Sequence, residues 1–134
     1  MANLKYIEGV GEGYAEKLQE AGIKNVDSLL AAGDTKAKRK KLAETTGISE
    51  KLILKFINRS DLMRIKGVGS EYSDLLELAG VDTVPELSKR KPDNLFAKMV
   101  EVNAEKKLVR KLPTEKQVAD WVEQAKALPR LINY

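Results

Sequence analysis

Two Gly-Val-Gly triplets and one run of cations hold the chemistry this sequence offers. The triplets are Gly9-Val10-Gly11 and Gly67-Val68-Gly69; the run is Lys36-Ala37-Lys38-Arg39-Lys40-Lys41. Glycine has no Cβ, so it leaves backbone N–H groups bare and lets another molecule come close. A helix starting beside such a turn points its positive end at the same place. That combination can hold a phosphate oxygen. The first triplet is flanked by Glu8 and Glu12, the second by Lys66 and Ser70. The second is therefore expected to be the primary phosphate contact, with Ser70 adding a donor, and the first to be mainly structural. Gly69 is expected at φ > 0, where a β-branched substitute is poorly tolerated.

Other chemistries find little support. The chain has no cysteine and no histidine. Thiolate chemistry is excluded, and the commonest general base and zinc ligand is missing. No metal or cofactor is expected. Gly9-x-Gly11-x-Gly13 is not a nucleotide loop: the segment before it has a helical pattern, and Gly13 becomes Glu71 in the second copy. No Gly-Lys-Ser/Thr sequence exists for a phosphate-binding loop. Lys17 and Lys66 flank the triplets, and a Schiff-base lysine would have to be desolvated. Nothing in the sequence marks either as buried, so the chain is not expected to be an enzyme.

The 134 residues suffice for one ordinary domain or two very small ones. The charge is 24 − 20 = +4, with a pI near 9.2. This permits an anionic partner without demanding one. No apolar run approaches membrane-spanning length, and Met1 to Val10 lacks a signal-peptide core. The expectation is a soluble cytoplasmic protein. Nothing here specifies an oligomeric state.

The elements that position the triplets come as a repeat. Ile7-Glu8-Gly9-Val10-Gly11-Glu12-Gly13-Tyr14-Ala15 returns as Ile65-Lys66-Gly67-Val68-Gly69-Ser70-Glu71-Tyr72-Ser73, at an offset of 67 − 9 = 58. Leu4 matches Leu62, Leu18 matches Leu76, and Ala21-Gly22-Ile23 matches Ala79-Gly80-Val81. Such self-similarity marks a duplicated unit. Low aromatic content and abundant Leu, Ala, Lys and Glu favour an all-α fold. In the first unit the periodicity predicts helices over 4–7, 12–21, 26–32 and 34–46, and a fifth after Ser49 with Ile53, Phe56 and Ile57 on its apolar face, the unit ending near Asp61. Asp34 and Ser49 are candidate N-caps, and Gly22, Gly33 and Gly47 are stops. Gly47-Ile48-Ser49, with Leu42 before it and Ile53 and Phe56 after, is a degraded third copy at 47 − 9 = 38.

In the second unit, Thr83-x-x-Glu86 and Thr114-x-x-Gln117 read as capping boxes, and Asp93 as a cap. Trp121 falls 121 − 56 = 65 residues after Phe56, so seven residues have been inserted around 103–111. Leu112-Pro113-Thr114 stands where Gly47-Ile48-Ser49 stood. Pro129 ends the last helix and leaves a short apolar tail. The two units are expected to span 1–61 and 62–134.

Both copies of the glycine phrase resemble the helix-hairpin-helix motif of many DNA-binding proteins, with Ser73 replacing the usual alanine. Residues 4–60, and Ala21-Gly22-Ile23 to Leu29-Leu30 in particular, are similar to two known domains. One is the C-terminal domain of the α subunit of RNA polymerase; the other is the recombinase N-terminal domain. Nearly the whole chain resembles a family of small bacterial proteins built from two such units, without an established activity. The resemblance implies two tandem units of about five short helices each, in SAM-like orthogonal bundles. It also implies non-sequence-specific contact with a DNA backbone.

The expected function is that of an accessory protein that binds duplex DNA. Its contacts would be Gly9, Gly11, Lys66, Gly67, Val68, Gly69 and Ser70, with Lys36, Lys38, Arg39, Lys40 and Lys41. Aromatics are not interleaved with the basic residues, so stacking on single strands is not indicated. The alternative is a protein-interaction or scaffold module without DNA contact, which Glu8, Glu12 and Glu71 favour.

Overall fold

The computed structural model describes Leu4, Ile7 and residues 9–133. Among these residues there are eight helices and no strand: α1 (Glu12–Glu20), α2 (Val26–Ala32), α3 (Lys36–Thr46), α4 (Glu50–Leu62), α5 (Ser70–Leu78), α6 (Val84–Ser88), α7 (Pro92–Lys106) and α8 (Glu115–Ala127). The fold is all-α. The helix expected over 4–7 lies largely outside the described residues, although Leu4 and Ile7 are both buried. No described helix is long and apolar enough to cross a membrane.

The chain divides into two compact units. The first comprises Met1–Asp61 and Leu131–Tyr134, the second Leu62–Arg130. The expected partition kept 131–134 with the second unit, but these residues join the first. In the first unit the apolar faces of α1 (Ala15, Leu18), α2 (Val26, Leu29, Leu30) and α4 (Ile53, Phe56, Ile57) are buried. In the second, α5 (Leu75, Leu76), α6 (Val84, Leu87), α7 (Leu95, Met99, Val102) and α8 (Val118, Trp121, Val122, Ala125) share one core.

The duplication extends to the backbone at helix ends. After α1, the Ile23 N–H donates to the Leu18 carbonyl at 2.9 Å and the Gly22 N–H to Gln19 at 3.0 Å. After α5, Val81 donates to Leu76 at 2.9 Å and Gly80 to Glu77 at 3.0 Å. Gly22 and Gly80 take φ of 90° and 96°, the left-handed conformation that glycine tolerates without a Cβ clash. One sequence pattern thus closes both helices with the same pair of bonds.

Several caps differ from expectation. Thr35, not Asp34, caps α3, its hydroxyl accepting from the Lys38 N–H. Asn25 and Ser28 form a capping box at α2. Thr83 makes no side-chain cap bond, and α6 relies on Pro85 in its first turn. Asp93 lies inside the first turn of α7, which starts at Pro92 after Lys91. The seven-residue insertion is absorbed by a long α7 and a loop fastened to it. The Asn103 side chain accepts from the Val109 N–H at 3.0 Å and donates to the Val109 carbonyl at 3.3 Å. Pro113 is buried where Ile48 is buried in the first unit.

The C-terminal tail is seated by main-chain bonds. The Asn133 N–H donates to the Asp34 carbonyl at 2.8 Å. Arg39 donates from Nη2 to the Asn133 carbonyl at 2.9 Å and from Nη1 to the Gly33 carbonyl at 2.8 Å. Between these anchors Ile132 is only 2% exposed. Removing most of that side chain should destabilise the first unit. Ile132→Ala is expected to cost about 2–4 kcal/mol in urea unfolding. Amide exchange should rise in α2 and α3 and stay unchanged in α7 and α8; unchanged exchange in all four would show that the tail is not seated in solution.

Candidate nucleic-acid interface

The two Gly-Val-Gly turns have one backbone form. The first glycine is left-handed, with φ of 91° at Gly9 and 97° at Gly67. The valine then turns inward: Val10 and Val68 are buried. Their N–H groups close short turns on Ile7 and Ile65 at 3.0 and 3.1 Å. The second glycine is extended and becomes the N-cap of the next helix, Gly11 for α1 and Gly69 for α5. Its carbonyl accepts from Ala15 in one copy and Ser73 in the other, both at 2.9 Å.

This corrects the expectation for Gly69. Its φ is −96°, a value open to any residue. The position that needs glycine is Gly67. There the left-handed backbone coincides with close packing, since a Cβ would lie 3.0 Å from Trp121 Nε1. Gly9 is constrained likewise, 3.3 Å from Arg59 Nη1 and 3.6 Å from the Phe56 ring. Gly47 repeats the form in the degraded copy, with φ of 76°, and Ile48 after it is buried.

An aromatic pair lies near each turn. Tyr14 meets Phe56 with ring centroids 5.7 Å apart, and Tyr72 meets Trp121 at 5.3 Å. Tilted contacts at this distance add to the burial of the rings. The Tyr72 hydroxyl donates to the Lys111 carbonyl at 2.8 Å. These rings are engaged inside their units.

The N-caps of the helices fall into two kinds. Asn25, Thr35, Ser49 and Thr114 each place a side-chain oxygen on the N–H three residues ahead, at 2.9 to 3.2 Å. Those N-termini are closed by their own chain. Thr83, Lys91, Gly11 and Gly69 supply no such bond, but α6 and α7 have Pro85 and Pro92 in the first turn, where a missing N–H needs no partner. A Cβ at Gly11, Gly13 or Gly69 would meet nothing within 4 Å. Neither φ nor packing demands glycine at Gly11 or Gly69.

Each unit carries cations of its own. Lys66 and Ser70 flank the second turn, with Lys66 exposed. At the first turn Glu12 is exposed, and Glu8 lies outside the described residues. The first turn carries a cation of its own. Lys17 Nζ sits 5.9 Å from the Tyr14 ring centroid, within cation–π range. Gly9, Gly11, Gly13, Tyr14 and Lys17 line a hollow of about 370 Å³. The reading from sequence weighed Lys17 only as a nucleophile. The available signal was its spacing, one helical turn beyond Gly13.

The basic run on α3 splits. Lys36, Lys38, Lys40 and Lys41 are exposed, whereas Arg39 is 5% exposed and bonded to two carbonyls. Lys38 pairs with Asp34 at 3.0 Å. Lys38 and Lys41 share a groove with Ala21, at the C-terminal end of α1. The Gly9–Gly11 turn is at the other end of that nine-residue helix, about 13 Å away. Cations at the C-terminal end offset the negative pole of α1. Lys36 borders another groove with Glu50, Lys51 and Leu54.

Fold and turns together define an all-helical protein in which a glycine turn opening onto an uncapped helix occurs once in each of two units. The chain belongs to the family described as a domain of unknown function, DUF4332, whose model matches residues 8–128. The match takes in both turns and stops short of the tail. No curated protein and no solved structure matches the chain.

Two substitution pairs check this geometry. Gly67→Ala should destabilise the second unit by about 1–3 kcal/mol in thermal or urea unfolding, and Gly69→Ala by much less. Equal losses would mean that the left-handed position has been misassigned. Arg39→Ala, which leaves two carbonyls without their donor, should cost about 1–3 kcal/mol. Lys40→Ala should stay within about 0.5 kcal/mol of wild type. A silent Arg39→Ala would return that residue to the exposed run.

Proposed function

We propose that the protein binds duplex DNA without sequence preference, holding phosphates at its two glycine turns, which we read as helix-hairpin-helix motifs. One observation carries the reading. Four N-termini are closed by a Ser, Thr or Asn side chain and two more, those of α6 and α7, carry a first-turn proline that has no N–H of its own, while those behind the two Gly-Val-Gly turns have neither device. Glycine kept where neither backbone angle nor packing requires it suits the close approach of another molecule. Helix N–H groups and the helix dipole suit that molecule's being a phosphate.

Backbone recognition of this kind reads no bases. The tyrosines beside the turns pack against Phe56 and Trp121, which favours a duplex over a stacked single strand. The protein acts by binding and not by catalysis. Lys66 and Ser70 support the second turn, and Lys17 supports the first. Lys36, Lys40 and Lys41 contribute general attraction, and Arg39 is left out of the contact set. The second reading is a protein-interaction module, favoured by the exposed carboxylates of Glu12 and Glu71 next to the turns.

A salt titration separates the two. Duplex affinity should be indifferent to sequence and fall steeply with salt. Lys66→Glu and Lys17→Glu should each weaken binding severalfold at low salt. Each should also flatten the log–log slope, by about 0.9 for every phosphate no longer neutralised. Absence of duplex binding at low salt would transfer the function to a protein partner.

A further inference from the structure

We infer that Gln124 is a positioning residue for the second turn, holding from α8 the backbone that presents Gly69 and Ser70. The inference deepens the DNA-binding reading and rests on it for its functional half. Gln124 Oε1 accepts from the Lys66 N–H at 2.9 Å, and Gln124 Nε2 donates to the Lys66 carbonyl at 3.1 Å. One planar amide therefore meets both polar main-chain groups of the residue preceding Gly67. The same Nε2 donates to Asp120 Oδ2 at 2.9 Å. A carboxylate only accepts, so Asp120 fixes which end of the amide faces the turn. Reversed, the amide oxygen would oppose both a carboxylate and a carbonyl.

The consequence for the turn is geometric. Gly67 must hold φ of 97°, and Lys66 before it is held at both its N–H and its carbonyl. The Lys66 N–H is taken by Gln124, and the Val68 N–H by the Ile65 carbonyl. Among the described residues no partner takes the N–H of Gly69 or Ser70. Those two groups stand at the start of α5, directly after the turn that the clamp holds. The first unit fills the equivalent place differently. Arg59 lies three residues after Phe56, as Gln124 lies three after Trp121, and its Nη1 reaches the Gly9 turn. A neutral amide clamps one turn and a buried guanidinium adjoins the other.

The test pairs amide exchange with duplex titration in the full chain. Gln124→Ala keeps a good helix former in α8. It should raise exchange of the Lys66 amide about tenfold, because a native hydrogen bond is lost. Duplex affinity at low salt should fall severalfold with the melting temperature little changed. Gln124→Glu, which sets a carboxylate oxygen against Asp120 and the Lys66 carbonyl, should weaken duplex binding at least as much as Gln124→Ala. Lys126→Ala, on the same helix and away from the turn, should match wild type in both measurements. Unchanged exchange at Lys66 in Gln124→Ala would overturn the clamp. Raised exchange with unchanged affinity, in a chain whose binding is weakened by Lys66→Glu, would overturn the positioning role. A wild type that binds no duplex would overturn the function proposed above and the positioning role with it. In that case the exchange result alone would decide whether the clamp exists.

Discussion

A left-handed glycine set close to an aromatic ring is the constraint from which each unit is built. At Gly67 the two requirements coincide: φ is 97°, and Trp121 lies where a Cβ would go. The ring can pack there only because the glycine is bare, and with the ring comes α8. Gln124 is one turn further along that helix and so arrives at Lys66. In the first unit Gly9, Phe56 and Arg59 repeat the arrangement with different chemistry. Turn geometry and helix docking are thus one condition, and a side chain at the glycine would disturb both.

The same logic explains why α1 and α5 are well-defined short helices. Each begins at an extended glycine and ends at a left-handed one, Gly11 to Gly22 and Gly69 to Gly80. Isolated helices of nine residues would be marginal in water. Here both ends are set by backbone geometry, and one face is buried in the core. What neither helix has is a side-chain cap on the N–H groups at its start. In a chain that closes four other N-termini with side-chain oxygens and opens two more on a proline, that contrast supports the proposed function.

Much of this was legible in the sequence. The helices of the first unit and the duplication at 58 residues followed from apolar spacing and glycine punctuation. Which of two neighbouring glycines takes the left-handed angle did not, because Gly-Val-Gly reads the same for either. Arg39 was also illegible: five cations in six residues look like a solvated surface. Its burial depends on carbonyls at Gly33 and Asn133, the latter 94 residues away along the chain. Gln124 gave no local signal, since its partner is the main chain of Lys66, 58 residues earlier. Bonds that join a side chain to a distant backbone leave no periodicity to read.

The seating of the tail has a consequence for how the protein is made. Synthesis proceeds from the N-terminus, and domains generally fold as they emerge. The first unit, however, includes Leu131–Tyr134. All its helices are made long before Ile132, so the site for that side chain stays unfilled while the whole second unit is being added. The second unit, contiguous over Leu62–Arg130, has all its residues first. Completion therefore runs against the order of translation, and the part of the chain that leaves the ribosome earliest is finished last.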